Sequence, residues 1–322
     1  MRHSPLPKQM QGAPGIVRLH GHRGARGVLP ENSLIGFRNT FEIGVQVVEL
    51  DIMITADGVP VLTHNPRLMA AATRGPDGKW LEKDSKPIVQ MHHDEVQKYD
   101  VGGLRDGTDY AARYPDQAFM SGVKIPDLAQ LVDMVQEPEF ADIWLNIEIK
   151  SNPDQPNDAP PLPQLVAPVL AVIDAAGIAD RVLLQSFDWR VLAEVNRQAP
   201  QIPRSYLTYA TRTHPTMAVN MTEGSPWMAG ASLAAHNGSI PQIVAGLGGA
   251  VWSPYFQDIT PESLAEAQAF GLVVNVWTVN EPADLNRMID LGVDGIITDY
   301  PARAQRCLLA KGLSWREDIT PA

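Results

Sequence analysis

Short apolar runs alternate with amphipathic helical patterns along almost all of the 322 residues, and that rhythm leaves few folds open. Strand-like runs fall at 16–20, 47–54, 59–63, 143–149, 182–185, 205–207, 250–253, 273–276 and 295–298. The run at 59–63 follows the Asp57-Gly58 turn and reads as a short partner of the strand before it. Helical patterns occupy 33–43, 128–135, 162–176, 189–198, 261–270, 283–291 and 302–310. Asp127 and Gln130 have the spacing of a capping box, and Gly177, Gly271 and Gly292 stand where a left-handed residue closes a helix. About eight strands separated by helices predict an α/β fold, the parallel (β/α)8 or TIM barrel, over 1–322 as one domain. Two stretches break the rhythm. Residues 66–125 carry polar turns with little periodicity and read as an insertion over one end of the barrel, while 211–247 holds a Gly/Ala/Ser-rich segment that matches no element.

A hydrophobic share of 44% and a charged share of 20% fit a globular chain with a substantial core. The formal net charge of −11 argues against a nucleic-acid partner, because phosphate backbones select basic surfaces. An anionic small molecule would therefore need local positive charge or a metal ion at its site. The one cysteine, Cys307, excludes an intrachain disulfide and a cysteine zinc site, and reads as filler in the last helix. Residues 1–15 hold no apolar run of signal-peptide length, and Asp174 interrupts the longest apolar stretch, 165–173. The expectation is a cytoplasmic enzyme without stable membrane insertion; no sequence feature marks an oligomeric state.

Strand geometry focuses the chemistry. Side chains two apart share a face, so Glu49 pairs with Asp51, and Glu148 with Lys150. In a barrel the C-terminal strand ends converge on one mouth. Three carboxylates meeting there would repel one another, and a hard divalent cation, Mg²⁺ or Ca²⁺ ahead of Zn²⁺, would relieve them. A solvated strand edge, or an ion pair with Arg23, is the competing reading for Glu49 and Asp51. His22 and His64 each follow a predicted strand and precede a turn, where an imidazole can take or give a proton near neutrality. Arg23 and Lys150 are candidate phosphate clamps. Arg26 and Arg67 read as surface or loop ion pairs, and His20, deeper in the first strand, as a core histidine. His3, His92, His93, His214 and His236 receive no role. The glycines at 21, 24 and 27 do not have dinucleotide-binding spacing, and no Walker lysine, Gly-x-Ser-x-Gly elbow or His-Glu-x-x-His pair is present.

The run from Gly21-His22-Arg23-Gly24 to Pro30-Glu31-Asn32-Ser33, then Glu49-Leu50-Asp51 and Thr63-His64-Asn65, resembles the opening signature of the glycerophosphodiester phosphodiesterases. Ile147-Glu148-Ile149-Lys150, Gln185-Ser186-Phe187-Asp188, Val276-Trp277-Thr278-Val279-Asn280 and Gly295-Ile296-Ile297-Thr298-Asp299-Tyr300-Pro301 are similar to later motifs of that family, in the same order. The resemblance implies a (β/α)8 barrel with a small insertion after the second strand. It also implies Glu49, Asp51 and Glu148 as metal ligands, His22 and His64 as the acid/base pair, and Arg23 and Lys150 on the phosphate. Phe187 and Trp277 would touch the glycerol or alcohol group. The implied reaction is metal-dependent hydrolysis of a small glycerophosphodiester to sn-glycerol 3-phosphate and an alcohol. Asn65 departs from the Asp usual in the family. Asn32 reads as the N-cap of the following helix, and Glu31 as a group reaching the metal site from behind. The alternatives are a related barrel phosphodiesterase acting on lysophospholipids or phosphoinositides, and a non-catalytic barrel that binds a phosphorylated metabolite.

Overall fold

Strands buried along their whole length mark a parallel sheet covered on both faces. In the computed structural model, which describes residues 6–210 and 219–321, every residue of every strand is buried. The fold class is the (β/α)8 barrel, with eight parallel strands alternating with helices and one extra antiparallel strand. The chain divides into two compact units, Gly21–Arg181 and the remainder.

The unit Gly21–Arg181 begins with the last residues of β1 (Arg18–His22) and continues through α1 (Leu34–Glu42), β2 (Val47–Ile54) and β3 (Pro60–Leu62). Three helices follow, α2 (His93–Val96), α3 (Asp109–Arg113) and α4 (Leu128–Val135), then β4 (Trp144–Ile149) and α5 (Leu162–Ala176). Strand β3 pairs antiparallel with β2, as the turn at Asp57-Gly58 requires, and so is not one of the eight parallel strands. Strand β4 lies parallel to β2, with Glu49 opposite Asn146 and Asp51 opposite Glu148. That register sets three carboxylates on one face of two neighbouring strands. Helix α4 opens with the expected capping box of Asp127 and Gln130.

The segment 66–125 forms short helices and turns. Its Leu68, Ile88, Met91, Val96 and Ile125 close over Met53 and Val61, which face each other across β2 and β3. The apolar residues of this segment are spaced irregularly because each contacts the strands from its own turn.

Among the described residues, Pro156–Ala176 is long enough to cross a membrane and contains an 18-residue window of mean hydropathy 1.3. Helix α5 nevertheless turns Leu165, Val166, Val169 and Ile173 inward while Gln164 and Asp174 stay exposed, the pattern of a helix flanking a barrel.

The second unit carries β5 (Val182–Ser186), α6 (Trp189–Gln198), β6 (Arg204–Thr208), α7 (Ile240–Gly246), β7 (Val251–Pro254) and α8 (Pro261–Ala269). It ends with β8 (Val273–Val276), α9 (Pro282–Leu291), β9 (Gly295–Thr298) and α10 (Pro301–Leu309). Strands β5 to β9 pair in sequence order and in parallel. The segment at 211–247 contains α7 and the short turns Pro226–Met228 and Ala234–His236; its residues 211–218, with His214, lie outside the described residues, as does His3. Cys307 is half-buried on α10.

The largest shift from expectation is at β1, which runs two residues later than 16–20 and ends on His22 itself. Ile16 is engaged instead in isolated bridges to Ala13 and Ser314. His20 is fully buried in this strand; burial, then the charge of Arg18, lowers its imidazole to about 3 and keeps it neutral.

Candidate metal and phosphate centre

The parallel register of β2 and β4 brings ligand oxygens of Glu49, Asp51 and Glu148 within 4.8 Å of one another, and all three residues are buried. Such a cluster repels itself, and the ionisation of its members records the repulsion. Burial, then Asp51 and Glu148, pushes the Glu49 carboxyl well above the usual range. Burial raises Glu148 to about 7, with Lys150 opposing the rise and Asp51 adding to it. Burial also works against Asp51, but Lys150 and then Arg23 outweigh it and hold that carboxyl well below the usual range. The Lys150 ammonium stands 3.0 Å from Asp51 Oδ1 and 2.7 Å from Glu148 Oε1. Fully ionised, the three acidic groups would outnumber the two basic ones in a buried pocket of oxygen donors, and a bound cation is what would keep all three ionised. That donor set fits a hard divalent metal ion.

Arg23 sits at the turn after β1 in the left-handed region, with φ of 50°. Its backbone N–H donates to Glu49 Oε2 at 3.1 Å, and its Nε lies 3.1 Å from Asp51 Oδ2. The turn leaves no room for side chains at its glycines: a Cβ on Gly21 would lie 2.2 Å from the Gly24 carbonyl oxygen.

Asn32 corrects the sequence reading. Ser33, with extended φ and ψ, is the N-cap of α1, and its Oγ accepts from Gly36 N. Asn32 instead takes a left-handed φ of 51° and turns its amide onto Asp51. Its Nδ2 donates to Asp51 Oδ2 at 2.9 Å, and its Oδ1 accepts from Asp51 N at 3.2 Å. Asn32→Ala is therefore expected to weaken divalent-metal affinity by about 10- to 100-fold, the usual effect of losing a group that orients a ligand. Calorimetric titration with Mg²⁺ or Ca²⁺ measures it, and unchanged affinity would remove Asn32 from that role.

The two histidines occupy different settings. His22 is buried, with Nε2 3.7 Å from Glu49 Oε2 and Nδ1 3.2 Å from the Arg26 Nη2. His64 follows β3 and is partly exposed; its Nδ1 lies 2.8 Å from Asn65 Oδ1. Desolvation, then Arg23 and Lys150, holds the His64 imidazole well below its usual value.

Arg26, expected in a surface or loop ion pair, lies in the interior. It is buried, stacked over the Tyr114 ring at 4.6 Å, and adjoins His22. Its position four residues after His22 was the available signal, since a tight turn folds such a residue back. Arg67 does form the expected loop ion pair, with Asp158 at 3.4 Å. Glu31 Oε1 accepts from Arg23 Nη1 at 3.1 Å, so it bears on the carboxylates through Arg23. Tyr110, on α3, hydrogen-bonds the other Glu31 oxygen. No sequence signal links positions 79 residues apart.

Phe187 and Trp277 belong to the second unit, just past the C-terminal ends of β5 and β8. Their rings meet edge to face at 5.1 Å within an apolar cluster that includes Leu207, Tyr209, Tyr255 and Ile297. The Trp277 Nε1–H donates to the Ser253 carbonyl at 2.9 Å, which fixes the indole.

Comparison with known proteins gives this arrangement a family. The glycerophosphoryl diester phosphodiesterase family model matches residues 22–303. A Silicibacter pomeroyi protein assigned to the glycerophosphoryl diester phosphodiesterases has a crystal structure that covers 97% of this chain and 100% of its own, at 44% identity and a TM-score of 0.85. A glycerophosphodiester phosphodiesterase of Caldanaerobacter subterraneus is 26% identical over 280 residues, 87% of this chain and 93% of that one. The fold also matches an Oleispira antarctica phosphodiesterase in complex with its product sn-glycerol-3-phosphate, at 21% identity and a TM-score of 0.66, over 91% and 97% of the two chains. A family match over nearly the whole chain, with relatives that align end to end, shows that the chain is an enzyme belonging to the glycerophosphoryl diester phosphodiesterase family.

Proposed function

We propose that the enzyme hydrolyses small glycerophosphodiesters to sn-glycerol 3-phosphate and an alcohol, with a divalent metal and with His22 and His64 as the acid/base pair. The observation that carries this reading is the buried triad Glu49, Asp51 and Glu148, with Arg23 and Lys150 beside it. Mg²⁺ or Ca²⁺ held by those carboxylates would supply Lewis acidity and neutralise non-bridging phosphate oxygens. Arg23 and Lys150 bind the same phosphate as charge-assisted donors. One histidine accepts the proton of the neighbouring glycerol hydroxyl or of a water, and the other gives its proton to the departing alcohol. Attack by the glycerol hydroxyl forms a cyclic phosphate, which water reopens while the histidines exchange roles. Phe187 and Trp277, at C-terminal strand ends, take the alcohol or glycerol group; their support is the aromatic cluster and the family motifs. Product binding by the Oleispira relative supports glycerol 3-phosphate as the product here.

A coupled glycerol 3-phosphate assay over choline, ethanolamine, inositol and glycerol headgroups tests the proposal. Turnover is expected for at least one headgroup, with loss on chelation and recovery when Mg²⁺ or Ca²⁺ is restored. Product formation indifferent to chelation would contradict the ligand set. No product from any headgroup would sink the activity.

A further inference from the structure

The three carboxylates, Arg23 and Lys150 come from β2, β4 and the residues just after β1 and β4, yet the segment 66–125 also reaches this centre. Helix α3, capped by Thr108, faces the loop that carries Arg23. Tyr110 donates its hydroxyl to Glu31 Oε2, while Glu31 Oε1 accepts from Arg23 Nη1 at 3.1 Å. Neighbouring contacts continue the docking. Tyr110 packs edge-on to Tyr114 at 5.5 Å, and Tyr114 lies under the Arg26 guanidinium. Gln117 Nε2 donates to the Arg26 carbonyl at 2.7 Å, and Ala118 N donates to the Val28 carbonyl at 2.9 Å.

We propose that Tyr110 is a positioning residue, acting through Glu31 to hold the Arg23 guanidinium in place for the substrate phosphate. Arg23 is flanked on two sides, with Asp51 Oδ2 at ion-pair distance from Nε and Glu31 Oε1 accepting a hydrogen bond from Nη1. The Asp51 side is rigid strand. The Glu31 side is a loop carboxylate, and a carboxylate fixed at one oxygen only can rotate about its last bond. Tyr110 supplies the second fixed point. The segment 66–125 thereby sets the orientation of a phosphate clamp that is remote from it in sequence. This inference rests on the function proposed above, in which Arg23 binds phosphate.

The test is Tyr110→Phe, which keeps the ring and removes only the hydroxyl. Affinity for inorganic phosphate, read by calorimetry on the Mg²⁺-loaded protein, is expected to fall about tenfold, the scale of one hydrogen bond to a charged group. The kcat/KM for the best glycerophosphodiester should fall by the same factor, while the Mg²⁺-dependent rise in Tm stays as in the wild type. In a Glu31→Ala background the same change should add less than about twofold, because a residue acting only through Glu31 has nothing left to act on. Wild-type phosphate affinity in Tyr110→Phe would overturn the inference, as would an undiminished loss in the Glu31→Ala background. Wild-type protein that turns over no glycerophosphodiester would defeat the activity alone, since phosphate binding still reports on Tyr110.

Discussion

Asp51→Asn is expected to cost about a thousandfold in turnover, because several kcal/mol of transition-state stabilisation by a metal ion corresponds to that factor. Asp51 is the central member of the triad: it shares a strand face with Glu49 and stands in register with Glu148. It also faces Lys150 at 3.0 Å and Arg23 at 3.1 Å. The fold should tolerate the change far better than the chemistry does. Removing one partner of a buried ion pair costs about 3–5 kcal/mol in isolation. Here the same substitution also removes the Asp51 charge, which adds to the burial that pushes Glu49 and Glu148 up, and those two carboxylates remain beside Arg23 and Lys150. The two effects oppose each other, so the metal-free melting temperature should move little. What should vanish is the stabilisation by added Mg²⁺ or Ca²⁺, which follows binding to the folded state. Turnover within tenfold of wild type, or a Tm that still climbs with the cation, would show that Asp51 is no ligand.

Wherever one residue pattern controls both local structure and burial, the elements were legible. Helices at 128–135, 162–176 and 189–198 and strands at 273–276 and 295–298 have the expected bounds, since the apolar pattern agrees there with a local signal such as the Asp127 and Asp188 caps or the stop at Gly177. The carboxylates were legible for the same reason: alternation along β2 and β4 fixes which residues share a face. Contacts depending on backbone conformation were not. Asn32 and Ser33 are both good N-cap residues, and only the left-handed φ at Asn32 decides that Ser33 caps the helix while Asn32 turns to Asp51. Arg26 reads as a surface or loop cation because it stands in a glycine-punctuated turn, and nothing local marks Tyr114 and Gln117, which contact it from the segment 66–125. Long-range contacts of that kind leave no periodic trace.

His22→Ala and His64→Ala should each lower kcat by at least about a hundredfold, the lower bound of a general acid–base contribution. Both variants should keep the Mg²⁺-dependent rise in Tm, which separates a lost proton-transfer group from a lost ligand. Their stabilities should differ. His22 is buried between Glu49 and Arg26, and its removal takes a hydrogen-bond partner from a buried guanidinium, at a cost of about 1–3 kcal/mol. His64 is partly exposed and its neighbour is Asn65, so its loss should scarcely change unfolding by denaturant. The leaving group then separates the two roles. A glycerophosphodiester of p-nitrophenol departs without a proton, so the variant lacking the acid should recover most of its rate on that substrate. The variant lacking the base should not. Equal recovery in both, or in neither, would mean that the two imidazoles do not divide the roles of acid and base. Near-normal turnover in either variant on ordinary substrates would remove that residue from the chemistry altogether.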